Sequence, residues 1–201
     1  PDLVRVVALT GTDLYGDLPA GDAAAAASVA DADGLIVLQA DALAHLPEAA
    51  RAKTHVVHQS ARSLTPWPDK RADLAHCVLV AHLRREKDPL TALAAWASLP
   101  RGLPATLTLI GAALDPVLAA AVTAAAASDP RVRWLGPRPH AWTRQAIKRA
   151  HVLVCPSLME GGAHVVIEAV TSATPVLASA MSGNIGLLGE AYPGYFPVGD
   201  A

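Results

Sequence analysis

Short runs of β-branched and aliphatic residues alternate with longer helix-forming stretches along this chain, and that alternation admits few folds. Strands joined through helices lie parallel, and a parallel sheet has to be covered on both faces. In the first part the runs are "VRVVAL" (4–9), "GLIVLQ" (34–39) and "THVVHQ" (54–59), separated by the helix-like "AGDAAAAASVA" and "DALAHL". Later come "HCVLVAHL" (76–83), "ATLTLIG" (105–111), "RVRWLG" (131–136), "HVLVCPS" (151–157), "PVLAS" (175–179) and "YFPVG" (195–199). The pattern pauses once, in "SARSLTPWPDKRAD" (60–73), where two prolines flank Trp67 among mixed charges. Such a stretch reads as a linker or as a long surface loop within one domain. The linker reading predicts an α/β chain of two doubly wound domains, residues 1–60 and 74–201, joined by 61–73.

The balance of charge restricts the partners. Sixteen Lys and Arg stand against eighteen Asp and Glu, a net charge of −2, and only 17% of residues are charged while 52% are hydrophobic. That describes a well-buried chain with no general attraction for nucleic acid or an anionic membrane, so any anion binding must come from local clusters. The alanine runs at 23–28 and 120–128 raise the hydrophobic fraction through helix formers that each bury little area. Cys77 and Cys155 sit inside apolar runs as expected free thiols, which fits a reducing cytoplasm. No apolar stretch reaches the roughly 20 residues of a membrane helix. With strand-like residues almost at Pro1 and a last run just before the end, pieces of the N-terminal domain and a closing helix are expected to be missing.

In doubly wound sheets ligands bind beyond the carboxyl ends of the strands. After "LVCPS" comes "LMEGGAHVVIEAV" (158–170), which places Glu160 and Glu168 on either side of a glycine pair and an apolar run. Gly161 and Gly162 are suited to a close backbone approach to a ligand, and the start of the following helix offers N–H groups and a positive dipole end to a phosphate. Glu168, about two turns into that helix, is placed to accept two hydroxyl hydrogen bonds, as from the diol of a ribose. The alternative is a structural pair of acids, with Glu160 capping the helix and Glu168 pairing a surface arginine. After the first strand of the second domain, "AHLRREKDPL" (81–90) carries Arg84, Arg85 and Lys87, able to neutralise a diphosphate, or else a solvated loop that Glu86 balances. Asp88 and Pro89 are the expected cap and first residue of the next helix. Thr10, Gly11, Thr12 and Asp13 form either a polar pocket or a local turn. The histidines show no zinc spacing, so no metal site is expected, and the chain holds no GxSxG, Walker or GxGxxG signature.

These stretches resemble the retaining-type glycosyltransferases of the GT-B fold, whose motif E-G-F-G-x-x-x-x-E-A is similar to "EGGAHVVIEA". "VLVAHLRREKDPL", "LTLIGAAL", "VRWLGPRP" and "TPVLAS" follow in that family's order, so the resemblance covers residues 74–199. It implies two Rossmann-like domains and a nucleotide-sugar donor, with Glu168 on the ribose hydroxyls and Glu160 by the donor sugar. It also implies that Lys87 grips the diphosphate, with His82 where the family has an arginine and Arg84 or Arg85 able to reach in. The donor-side set then runs through His82, Arg84, Arg85, Lys87, Gly136, Arg138, Glu160, Gly161, Gly162, Ala163, His164 and Glu168, with Lys87 and Glu160 at the chemistry. The departures are Ala81, Gly162, Ala163 and Ala173, the last replacing a helix-ending glycine at a cost of roughly 1 kcal/mol if the left-handed cap is kept. "TGTDLYGDL", "HLRREKDPL", "MEGGAHVVIEAV" and "GNIGLLGEAYPGYFPVGD" together resemble the selenosugar synthases of selenoneine biosynthesis, a GT-B subgroup. That resemblance implies transfer of the sugar of UDP-glucose or UDP-N-acetylglucosamine to selenophosphate, no cofactor beyond the donor, and acceptor contacts at Gly11, Thr12 and Asp13.

Overall fold

A computed structural model describes residues 3–201; Pro1, taken above as the start of a fragment, lies outside them. The described residues divide into two compact units. The first comprises residues up to Ser60 together with Met159–His164 and Met181–Tyr192, and the second comprises Ala61–Leu158, Val165–Ala180 and Pro193–Ala201. The expected linker is counted with the second unit and is bonded to it. The Leu64 amide donates to the Thr171 carbonyl at 2.9 Å, and the Trp67 ring lies beneath Lys148 and Arg149, whose charged atoms sit 5.5 and 4.6 Å from its centre.

In the first unit β1 (Val6–Ala8), β2 (Gly34–Val37) and β3 (Thr54–Val56) form a parallel three-stranded sheet in that order. Their connections are a π-helical turn (Asp13–Asp17), α1 (Ala23–Asp31), a 3-10 turn (Ala40–His45) and α2 (Glu48–Arg51). Asp22 caps α1 through the Ala25 amide at 2.8 Å. Of that alanine-rich helix only Val29 is buried, as the small area of alanine dictates. Leu9, Leu14, Leu35, Val37 and Leu46 make the core.

The second unit holds β4 (Ala75–Val80), α3 (Pro89–Ser98), β5 (Ala105–Ile110), α4 (Pro116–Ser128), β6 (Val132–Trp134), α5 (His140–Arg149), β7 (Val152–Cys155), α6 (His164–Val170), β8 (Val176–Ser179) and β9 (Tyr195–Phe196). The intervening α7 (Ser182–Leu188) and the first residue of α6 belong to the first unit. All nine expected strands are present, shorter than their apolar runs. The six-stranded sheet is ordered β6-β5-β4-β7-β8-β9 with every pairing parallel. Renumbered from β4, this is 3-2-1-4-5-6, in which the chain reverses direction between β4 and β7 and leaves a crevice at their carboxyl ends.

Capping follows the sequence at α3. Asp88 accepts from the Thr91 amide at 3.3 Å and from its hydroxyl at 2.5 Å, with Pro89 as first residue. On this helix Pro89, Thr91, Ala92 and Trp96 turn inward while Leu90 is exposed. On α5, Arg144 is buried. Its guanidinium Nη2 donates to the Arg62 carbonyl at 2.5 Å and to the Ser172 hydroxyl at 3.4 Å, so polar partners make the position tolerable. α6 ends in a Schellman motif: the Thr174 amide reaches the Ala169 carbonyl at 2.9 Å, the Ala173 amide reaches Val170 at 3.1 Å, and Ala173 has φ +55°.

Candidate functional site

Loops from three strands are stitched together on the carboxyl side of the second unit's sheet. The Leu158 amide, beyond β7, donates to the Glu86 carbonyl at 2.9 Å, and the Leu83 amide, beyond β4, donates to the Ala112 carbonyl beyond β5 at 2.8 Å. Gly111 has φ +154°, and a Cβ there would stand 1.9 Å from the Ala81 carbonyl oxygen, so only glycine lets these loops run so close. The crevice between β4 and β7 is therefore edged by residues 81–88 and by the start of the segment leading to α6.

His82 and the basic residues stand on the first of these edges. The Ala112 amide donates to His82 Nδ1 at 3.0 Å, which assigns the ring proton to Nε2 and leaves that atom a donor on an exposed side chain. Arg84 and Arg85 are exposed; Arg84 Nε lies 3.8 Å from Glu86 Oε2, so part of the local balance foreseen for Glu86 does exist. Lys87 is half-buried in the 3-10 turn Arg85–Lys87. Gly136, at φ +67°, turns the chain after β6 and accepts from the Gly111 amide at 3.0 Å. Arg138 is exposed with its guanidinium carbon 5.7 Å from the Trp142 ring centre.

Glu168 is the best-defined acid of this unit. It is the fifth residue of α6, one turn in rather than the expected two, because the helix starts at His164 and not beside the glycine pair. It is 4% exposed and does not pair on the surface. His140 Nε2 bonds its Oε1 at 2.5 Å, and Arg144 Nη1 lies 3.9 Å from the same oxygen. The two partners are four residues apart on α5, so one helix face delivers both. Their exposures differ sharply: the His140 side chain is 72% exposed and that of Arg144 8%. Sequence reasoning missed both residues, though their spacing on an amphipathic helix was the available signal.

The remaining sequence candidates lie in the first unit. Glu160, Gly161 and Ala163 are buried there, and Gly162 is half-buried. The glycine pair lets segments of this unit pass close to one another. A Cβ on Gly161 would stand 2.5 Å from the Gly11 nitrogen and 2.7 Å from the Thr10 carbonyl carbon, and one on Gly162 would stand 2.7 Å from Leu38 Cβ. Gly183 likewise passes the Glu160 carbonyl, where a Cβ would lie 1.9 Å away. His164 Nε2 is 3.2 Å from the Ser60 carbonyl oxygen. Gly11 is thus packed against Gly161, and Asp13 bonds locally: its Oδ2 accepts from the Thr10 amide at 2.6 Å and hydroxyl at 2.8 Å. Thr12, in a helical conformation, is exposed and makes no side-chain cap.

The same unit carries a polar chain that the sequence did not announce. Gln39 Nε2 donates to the Tyr15 hydroxyl at 3.1 Å, Tyr15 and Ser182 hydroxyls lie 2.8 Å apart, and Ser182 donates to Asp41. Since Ser182 spends its proton on the carboxylate, Tyr15 must donate to Ser182. Burial, with the charge of Asp41 adding to it, pushes the Tyr15 phenol above its ordinary value, and the hydrogen bonds of Ser182 and Gln39 oppose the rise.

Among the described residues no group of three or more His, Cys, Asp and Glu is placed to hold a metal ion, and no helix is long and apolar enough to cross a membrane. Cys77 and Cys155 are in no disulfide, half-buried and buried, and burial raises the Cys77 pKa.

Residues 68–198, more than half of the chain, match the family described as glycosyl transferases group 1, and the chain belongs to that family. Its fold is the α/β GT-B class with Rossmann-like units of parallel strands. It is similar to the Anabaena protein HepE solved with UDP and glucose (TM-score 0.69, 18% identity, covering 84% of this chain and 50% of that one). It is also similar to sucrose-phosphate synthase from Thermosynechococcus elongatus (0.71, 26%, 87% and 47%). A third likeness is to the lipopolysaccharide outer core galactosyltransferase WaaB in its apo form (0.61, 22%, 77% and 45%). The chain thus spans about half the length of the solved chains it matches.

Proposed function

We propose that the second unit binds the nucleotide of a UDP-sugar and that the protein transfers the sugar to selenophosphate. One observation carries the donor half: Glu168 is a buried carboxylate with a buried arginine behind it and an exposed histidine in front, on the helix after β7. A buried acid reachable from solvent through one side chain suits a ribose diol, which offers two hydroxyl donors to one carboxylate. Membership of the glycosyl transferases group 1 supports the reading, as does the likeness in fold to HepE, which was solved with UDP-glucose.

On this reading His82, Arg84, Arg85 and Lys87 meet the diphosphate, Gly136 and Arg138 contribute to donor binding, and Glu160 with Gly161, Gly162, Ala163 and His164 serves the donor-sugar side. The acceptor side falls to Gly11, Thr12 and Asp13. The bond between sugar C1 and the diphosphate oxygen breaks, its electron pair leaving on UDP. Anionic selenium of selenophosphate supplies the pair for the new C1–Se bond, and water later cleaves Se–P to release phosphate. A polarisable anion of this kind needs no base to deprotonate it. The protein's work is then to hold the reactants in line and to stabilise the departing charge through Lys87 and its neighbours.

The resemblance to selenosugar synthases supports the acceptor. It is tested by mass spectrometry of the full chain's products from UDP-glucose or UDP-N-acetylglucosamine with selenophosphate. A selenium-bearing sugar together with UDP is the expected result. Transfer to an alcohol or lipid acceptor alone removes selenophosphate and leaves an ordinary glycosyltransferase; UDP binding without turnover on any acceptor leaves a non-catalytic nucleotide-binding module.

A further inference from the structure

α5 brings two hydrogen-bonding side chains of different character to one oxygen. Arg144 is locked: it is 8% exposed on its side chain, and Nη2 bonds the Arg62 carbonyl at 2.5 Å and Ser172 Oγ at 3.4 Å. It supplies the Glu168 carboxylate with a countercharge from inside the protein, 3.9 Å from Oε1. His140 is its opposite. It is the first residue of α5, its side chain is 72% exposed, and its Nε2 closes on Glu168 Oε1 from the solvent side at 2.5 Å. The helix does not depend on it for capping, because the cap position is Pro139.

We propose that His140 is an exchangeable cover on Glu168, occupying the carboxylate until the vicinal hydroxyls of a nucleoside diphosphate's ribose take its place. The inference rests on the donor reading above and adds to it a residue that sets nucleotide affinity. One imidazole N–H makes one hydrogen bond to the acid, while a cis diol makes two, so the exchange gains a bond at the carboxylate. The released imidazole goes into water, where its polar atoms are satisfied, and Arg144 keeps the buried charge compensated throughout. Because wild-type nucleotide binding has to break the His140 contact first, removing that side chain tightens binding.

The test is calorimetric titration of the full chain with UDP and with 2′,3′-dideoxyuridine diphosphate, in wild type, His140→Ala, Glu168→Gln and the double variant. His140→Ala is expected to bind UDP about three- to tenfold more tightly, the range appropriate to one solvent-accessible charge-assisted hydrogen bond. The dideoxy ligand, which has no diol to install, should bind both proteins alike. In the Glu168→Gln background the gain should shrink below about twofold, since the contact removed is to a neutral amide. Thermal melts of each variant establish that it is folded. Unchanged or weaker UDP binding by folded His140→Ala overturns the proposal, and so does equal tightening for the dideoxy ligand. If Glu168→Gln weakens UDP binding while His140→Ala leaves it unmoved, only the cover fails. If wild type does not bind UDP, the donor reading fails and takes the cover with it.

Discussion

Replacing Ala173 by glycine should stabilise the second unit. Ala173 closes the Schellman motif of α6 at φ +55°, a left-handed conformation that an L-residue with a Cβ pays for with about 1–2 kcal/mol. Glycine removes that strain but enlarges the unfolded ensemble, which takes back about 0.4–1 kcal/mol. The alanine is exposed, so losing its methyl forfeits almost no burial. The net is a gain of about 0.5–1 kcal/mol, or a midpoint about 1–4 °C higher for a chain of this length. Urea titration followed by circular dichroism reads it, with an unchanged slope confirming that stability alone has moved. The mirror change is Gly21→Ala: at φ +75° with nothing within 4 Å of the added Cβ, it should cost about 1 kcal/mol from backbone strain alone. A neutral or destabilising Ala173→Gly would refute the reasoning, because the two amide contacts that define the cap do not depend on the side chain.

Three further outcomes are expected. Gly161→Ala and Gly183→Ala should each cost about 2 kcal/mol or more in urea titration, since the new methyl meets backbone atoms that cannot swing aside. Arg144→Met should cost about 3 kcal/mol by leaving Glu168 buried without its inner countercharge, while His140→Ala should cost only about 0.7–1.4 kcal/mol, the worth of its one contact with Glu168. Stability should fall in two separate acid windows. The His76 pKa is lowered by burial and then by the charges of His151 and Arg133, so below about pH 6.5 the unfolded state binds the extra proton and stability drops until the folded value is passed. Asp129 is held down to about 2 by its hydrogen bonds from Arg131, so its contribution is present above about pH 4 and is lost as pH falls toward 2. His76→Gln should flatten the first window and Asp129→Asn the second in melts recorded across pH.

The sheet was legible because strand runs and helical stretches keep different periods, and tertiary packing changes that pattern little. Asp88 and Pro89 at the head of α3 were equally legible, since caps are local, whereas the left-handed cap at Ala173 was suggested only by the family resemblance. The environment of Glu168 was not. Its spacing from Glu160 marked it as unusual, yet the histidine and arginine that hold it come from another helix, 28 and 24 residues earlier in the chain. The packing around the glycine pair was not legible either. Thr10, Gly11 and Leu38 pass beside them, a close approach between segments about 120 to 150 residues apart that no local pattern encodes.

The central claim is that Glu168 receives a nucleotide's ribose. A crystal structure of the chain soaked with UDP measures it directly. Both ribose hydroxyls are expected within hydrogen-bonding distance of the Glu168 carboxylate, with His140 turned away and Arg144 still bonded to the Arg62 carbonyl. A ribose bound elsewhere, with His140 still seated on Glu168, would contradict it.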